Sequence, residues 1–232
     1  MNHHRQIVLD TETTGLDPAQ GHRVIEIGAV ELIGRKLTGN TFHVYLNPQR
    51  LVEQEAIAIH GISNEFLQDK PVFAQVADKF IDFIEGAELV IHNAAFDVGF
   101  IDHEFKLWRA DTALTRDLCS VLDTLKLARD MRPGQKNNLD ALCRAFGVDN
   151  ANRNFHGALL DAELLAEVYL AMTGGQTKLA LASQGANQSG TSSNGWTPIT
   201  NKPALRVIRA DDNEQQAHAE RLKIIQQALW HS

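Results

Sequence analysis

The 232-residue sequence predicts an α/β domain on a mixed five-stranded sheet flanked by helices, followed by a flexible linker and a C-terminal tail. Three observations point there. Strand-like segments crowd the start of the chain. Short apolar strands then alternate with helically spaced apolar residues. Near Leu181 the composition changes abruptly, and residues 183–204 become rich in Ser, Gly, Asn and Thr.

The elements follow in order. Ile7, Val8 and Leu9 run consecutively within residues 5–10, the pattern of a strand buried on both faces. Residues 24–33 and 36–46 are β-rich; Gly34-Arg35 between them suggests a hairpin, and Pro48 ends the second strand. Phe73, Val76, Ala77, Phe80, Ile81 and Ile84 fall at helical spacing, which predicts a helix over 73–85. Residues 88–92 read as a short buried strand, with a helix from about Ala95 to Trp108. Ser120–Leu122 is the last core strand, and helices follow near 123–130 and 138–146. The final core helix is expected from about Gly157 to Met172, with Leu160, Leu164, Val168 and Ala171 on one face and Gly174-Gly175 as its stop. Beyond the linker, 205–209 reads as a short strand. Residues 212–230 read as a helix with Leu222, Ile225 and Leu229 on one side, a stripe that needs something to bury it. The expected division is a domain over 1–181, a linker over 182–204 and a tail over 205–232.

Composition narrows the function. No apolar run approaches the roughly 20 residues that span a bilayer, and the three-residue stretch near the N-terminus is too short for a signal-peptide core. The expectation is a cytoplasmic protein without a membrane partner. Cys119 and Cys143 are too far apart for a zinc or redox motif and read as core residues. The formal charge is −7, and residues 1–182 hold 17 Lys and Arg against 25 Asp and Glu. A protein that grips duplex DNA unaided usually carries a basic stripe. Any nucleic-acid contact here must be short, bridged by cations or delivered by a partner.

The chemistry lies in the carboxylates. Asp10 and Glu12 stand two apart at the end of a buried strand, so both face one side. Two close anions at the edge of a core repel and are costly to desolvate. A hard divalent cation with oxygen ligands relieves both problems; alone, the pair would read as a solvated strand end. Asp97 opens the helix after residues 88–92, a position a helix dipole also favours. His156 and Asp161 are five apart, about 140° on a helix. They converge on one site only if His156 lies in the loop before the helix, and Asn154-Phe155-His156-Gly157 reads as such a loop. Four carboxylates can hold two cations about 3.5–4 Å apart and clamp a phosphodiester. His156, with an unperturbed pKa of about 6.5, suits a general base for the attacking water.

The pattern resembles the DEDD exonucleases of the ribonuclease H-like fold, in the subgroup with a catalytic histidine. The stretches VLDTETTG, VIEIGAVEL, FHVYLNP, IHGI, LVIHNAAFDVGF, NNLDALC and FHGALLDAELLAEVYLAMTGGQ are similar to the proofreading subunits of bacterial DNA polymerase III, over about residues 5–181. The resemblance implies Asp10, Glu12, Asp97 and Asp161 as ligands of two divalent cations, Mg²⁺ or Mn²⁺, and His156 as general base. It implies that Glu55 and His60 touch the terminal nucleotide, with Thr13 and Leu16 beside its base and sugar. Asp10, Glu12 and Asp161 would meet the substrate as well. Asn93 and Phe96 would shape the pocket. Gln176, Leu179 and Leu181 resemble a sliding-clamp-binding peptide. The tail would bind the polymerase (alpha) subunit through Leu222, Ile225, Leu229 and Trp230, with Trp196 a second anchor. Some family members also bind a small accessory (theta) subunit.

The implied reaction is trimming of single-stranded or frayed DNA from its 3′ end. A related exoribonuclease shares the metal site but has no evident use for the linker and tail. A non-catalytic scaffold would not need five intact chemical residues.

Overall fold

The computed structural model describes residues 5–151, 155–174 and 210–224. The strands are β1 (Arg5–Thr13), β2 (Val24–Ile33), β3 (Lys36–Tyr45), β4 (Glu88–Ile91) and β5 (Ser120–Asp123). The helices are α1 (Gln54–His60), α2 (Asn64–Leu67), α3 (Phe73–Ile84), α4 (Ala94–Trp108), α5 (Thr115–Leu118), α6 (Thr124–Met131), α7 (Leu139–Phe146), α8 (Ala158–Gly174) and α9 (Asp212–Ile224). The chain divides into two compact units, Met1–Ala180 and Leu181–Ser232. No helix among the described residues is long and apolar enough to cross a membrane.

One mixed sheet runs in the order β3-β2-β1-β4-β5. β1 is central, antiparallel to β2 on one side and parallel to β4 on the other. Its apolar run explains that place. Ile7 and Leu9 enter a core with α3 and α4, while Val8 enters a second core with α7 and α8. All three are fully buried, as a strand covered on both faces requires. Gly34 and Arg35 both take positive φ, 57° and 67°, the two-residue turn whose twist matches a hairpin.

The elements expected within the described residues are present with boundaries shifted by a few residues, and β1 extends three residues further, to Thr13. One correction concerns α8. Ala171 is exposed, and the inward face instead runs through Ala158, Asp161, Leu165, Val168, Tyr169 and Met172. The helix lies on β1 and β2, which rotates that stripe toward the sheet and leaves Ala171 on the flank. Arg35 closes the other end: its guanidinium donates to Leu170 O at 2.9 Å and Thr173 Oγ1 at 2.7 Å, satisfying groups in the last turn. The one-turn helices α2 and α5 are too short for periodicity to reveal.

In the second unit, α9 starts with reciprocal bonds: Glu214 N–H donates to Asp211 Oδ1, and Asp211 N–H to Glu214 Oε2. The strand expected at 205–209 lies outside the described residues. So do Gln176, Leu179, Leu181, Trp196, Ile225, Leu229 and Trp230; Leu222 lies on α9.

The consequence for function is positional. β1 and β4 are parallel, so their carboxyl ends lie side by side, where α4 leaves the sheet and α8 begins. Crevices beyond strand carboxyl ends are the usual place for ligands in such sheets.

Candidate active site

The end of β1 supplies side chains to both sheet faces. Asp10 and Glu12 share the face of Val8, toward α8, whereas Thr11 points toward α4. Thr11 Oγ1 donates to Asp97 Oδ1 at 2.7 Å. Asp97 sits in the first turn of α4 and is only 3% exposed. Burial pushes its carboxyl up to about 7, against the Thr11 hydrogen bond, which favours the anion.

Asp161 reaches the same place from the opposite face. It lies in the first turn of α8 and is buried. Gly28, the ladder partner of Asp10, makes this possible: a Cβ there would overlap the backbone of Ala158 and Leu159. A side-chain-free position on β2 thus lets the start of α8 rest directly on the sheet.

His156 precedes that helix in a loop, as its spacing from Asp161 requires. Its Nδ1 is 3.3 Å from Asp161 Oδ2, and its side chain is 47% exposed. Its backbone N–H donates to Ile59 O at 3.2 Å, tying the loop to α1. Asp10, Glu12, Asp97, His156 and Asp161 all line one cavity of about 270 Å³. Glu12, His156 and Asp161 each offer a ligand atom, and these lie within 4.8 Å of one another.

The donor set fits a hard divalent cation. It is dominated by carboxylate oxygens, and it includes an acid that burial disfavours as an anion until positive charge arrives. Asn93 and Phe96 also line the cavity. Asn93 adopts the left-handed conformation at φ 66°, which turns the chain from β4 into α4, and its N–H donates to Asp123 Oδ1.

A second cavity of about 290 Å³ adjoins the first, with Glu12 lining both. Thr13, Leu16, Glu55 and His60 line it together with Ala56 and Ile59. Of the substrate-contact residues expected from sequence, Glu12, Thr13, Leu16, Glu55 and His60 line this cavity, while Asp10 and Asp161 line the first. Leu16 is 83% exposed and Ile59 is exposed too, so the rim is apolar and open. Thr13 Oγ1 already donates to Gly15 O at 2.6 Å, which holds the loop in shape.

His60 is the informative group. Its Nδ1 accepts from Ile62 N–H at 3.0 Å, so the proton of the neutral ring sits on Nε2. That Nε2 is buried and has no hydrogen-bond partner. Burial, and then the nearby His156, lowers the pKa of His60 and keeps the ring neutral. The result is an unspent donor beside an apolar pocket.

Sequence reasoning missed several lining groups. Asn138 and Asp140 line the catalytic cavity from the start of α7. Asn138 caps that helix by accepting from Ala141 N–H at 3.0 Å, and Asp140 lies in its first turn. The same helix-opening signal that singled out Asp97 would have found them. His22 was also missed. It is buried against Gly15, its Nδ1 lies 3.1 Å from Thr14 Oγ1, and its Nε2 lies 3.4 Å from Glu53. It lines neither cavity but supports Gly15 and Glu53, which line the second, and no spacing rule foretells such a contact.

A family model described as Exonuclease (RNase_T) matches residues 7–169. DNA polymerase III subunit epsilon of Escherichia coli K12 is 55% identical over 235 residues, covering 97% of each chain. The subunit of that name from Haemophilus influenzae Rd is 49% identical over 236 residues, covering 97% of this chain and 92% of its own. Among solved structures, exonuclease X in complex with 5′ overhanging duplex DNA aligns with a TM-score of 0.58 and 25% identity. That alignment covers 74% of this chain and 94% of the other.

Proposed function

Since the chain belongs to the exonuclease family, among its DNA polymerase III epsilon subunits, we propose how its own residues carry out the family's reaction. It is a metal-dependent 3′→5′ exonuclease that removes mispaired 3′-terminal nucleotides as the proofreading subunit of a replicative polymerase. One observation carries the residue assignment: four carboxylates and an imidazole from distant parts of the chain line a single cavity.

Asp10, Glu12, Asp97 and Asp161 would hold two divalent cations, Mg²⁺ or Mn²⁺. When bound, the cations supply Lewis-acid activation of water and charge stabilisation on the leaving 3′-oxygen. His156 takes the proton of the attacking water; its half-exposed ring beside Asp161 can both reach the site and shed that proton to solvent. The terminal nucleotide occupies the adjoining cavity, its base and sugar against Leu16 and Thr13. His60 Nε2–H donates to one of its oxygens, and Glu55 accepts from it. Mismatch preference needs no base reading, because a mispaired end is easier to unpair.

The acidic charge of the chain fits a subunit whose DNA is held by others. The tail binds the polymerase (alpha) subunit through Leu222, Ile225, Leu229 and Trp230. Gln176, Leu179 and Leu181 engage the sliding clamp, and a small accessory (theta) subunit is a further partner. Such tethering raises local concentration without a large interface. The assembly works in the cytoplasm.

The test is a 5′-labelled single-stranded DNA and its RNA counterpart, incubated with the full chain and Mg²⁺ or Ca²⁺. Stepwise shortening of the DNA from its 3′ end with Mg²⁺ alone is expected. A strong preference for the RNA would replace this reading with that of an exoribonuclease.

A further inference from the structure

Glu26 on β2 is a buried carboxylate that the reaction above does not use. It is 2% exposed and stands opposite Glu12 in the β1–β2 ladder. It lines neither cavity. Its Oε2 accepts from Ala158 N–H, the first residue of α8, at 3.1 Å. Its Oε1 lies 2.8 Å from His43 Nε2 on β3. A buried acid is costly unless hydrogen-bonded, and a well-packed apolar side chain would often serve stability as well or better. What the acid adds is a fixed point: Ala158 is two residues after His156 and three before Asp161.

The other side of the same segment is also fastened. His156 N–H donates to Ile59 O, and the Phe155 ring lies over Gly61 just beyond α1. Residues 155–158 are thus stretched between α1, which borders the nucleotide cavity, and β2, which carries the sheet.

We propose that Glu26 is a positioning residue for His156, holding the imidazole at the cavity by anchoring the Ala158 N–H at the start of α8. The proposal rests on His156 acting as the base. Glu26→Asp keeps the charge but withdraws the carboxylate by one methylene. Glu26→Gln keeps the length and an acceptor oxygen.

The experiment measures steady-state cleavage of single-stranded DNA by the full chain, together with amide hydrogen exchange at Ala158. Glu26→Asp is expected to lower kcat about tenfold or more with KM within about twofold, and Glu26→Gln to stay within about threefold of the parent. Exchange at Ala158 is expected to rise at least about tenfold in Glu26→Asp alone. In a His156→Gln background the Glu26→Asp loss should shrink to within about twofold, because the two changes act on one group.

Parental kcat in Glu26→Asp, an equal loss in the His156→Gln background, or a Glu26→Gln as impaired as Glu26→Asp would each overturn the proposal. Should Glu26→Asp not fold, His43→Ala removes the carboxylate's second partner, and a drop of about threefold in kcat is expected; no drop overturns the proposal. A His156→Gln at parental rate would instead refute the base assignment, while exchange at Ala158 still reads the anchor by itself.

Discussion

Two cavities meet at Glu12, and they are built differently. The one lined by the four carboxylates is walled by the ends of long, buried elements: β1, the start of α4 and the start of α8. Its acids are pinned from behind, Asp97 by Thr11 and α8 by the Gly28 contact. The adjoining cavity is walled by a turn and the seven-residue helix α1, and exposed Leu16 and Ile59 form its rim. Chemistry needs atoms fixed to fractions of an ångström. Holding a nucleotide of any base tolerates a looser, apolar wall. On the proposed assignment, rigidity falls where bonds break and adaptability where a base must fit.

That contrast can be broken from either side. The largest effect belongs to the acids. Asp10→Ala should lower kcat by about a thousandfold or more while circular dichroism and the thermal midpoint stay at parental values. Unchanged cleavage by a carefully purified variant would refute the metal assignment. Next comes the scaffold beneath them. Gly28→Val forces the start of α8 off β2, and both readouts should suffer: about a hundredfold in kcat and about 3 kcal/mol in urea unfolding. A full rate there would mean that the seating of α8 on the sheet has no bearing on Asp161.

Changes in the nucleotide cavity should fall mainly on KM. His60→Ala removes the unspent Nε2 donor and should cost about tenfold in kcat/KM, and Leu16→Ala about threefold, read from steady-state rates on single-stranded DNA. A collapse of kcat at unchanged KM would assign His60 to the chemistry instead.

The smallest effect is on pH-dependent stability. The pKa of His60 is lowered in the folded chain, so the unfolded chain binds the proton first. The stabilising contribution is present above the unfolded value of about 6.5 and fades as pH falls through it. His60→Asn keeps an acceptor for Ile62 N–H without titrating. Urea midpoints compared at pH 8 and 5.5 should diverge less in that variant than in the parent.

Legibility in sequence followed the same division. Asp10 and Glu12 were readable because a period of two and an adjacent apolar run fix both face and position. Asp161 and His156 were readable because helix geometry leaves one arrangement in which they meet, and the loop that arrangement demands is present. Asp97 needed only a helix start. Glu55, His60, Thr13 and Leu16 were another matter. Nothing in their spacing brings α1 beside the end of β1, and only family likeness put them at one site. His22 and Glu26 escaped altogether, since each acts through contacts with residues distant in sequence, whereas Asp140 carried a helix-start signal that was passed over. The face of α8 was misjudged at Ala171 because the helix is apolar nearly all round, so periodicity alone could not orient it.

Helix α8 is clasped at both ends by one hairpin, Glu26 at its start and Arg35 of the turn at its finish. Its 17 residues make a strut of about 25 Å. The carboxylate cavity and the Arg35 clasp thus occupy opposite poles of that strut. Held at both poles by the same hairpin, the strut cannot pivot on the sheet, and Asp161 at its front keeps its place.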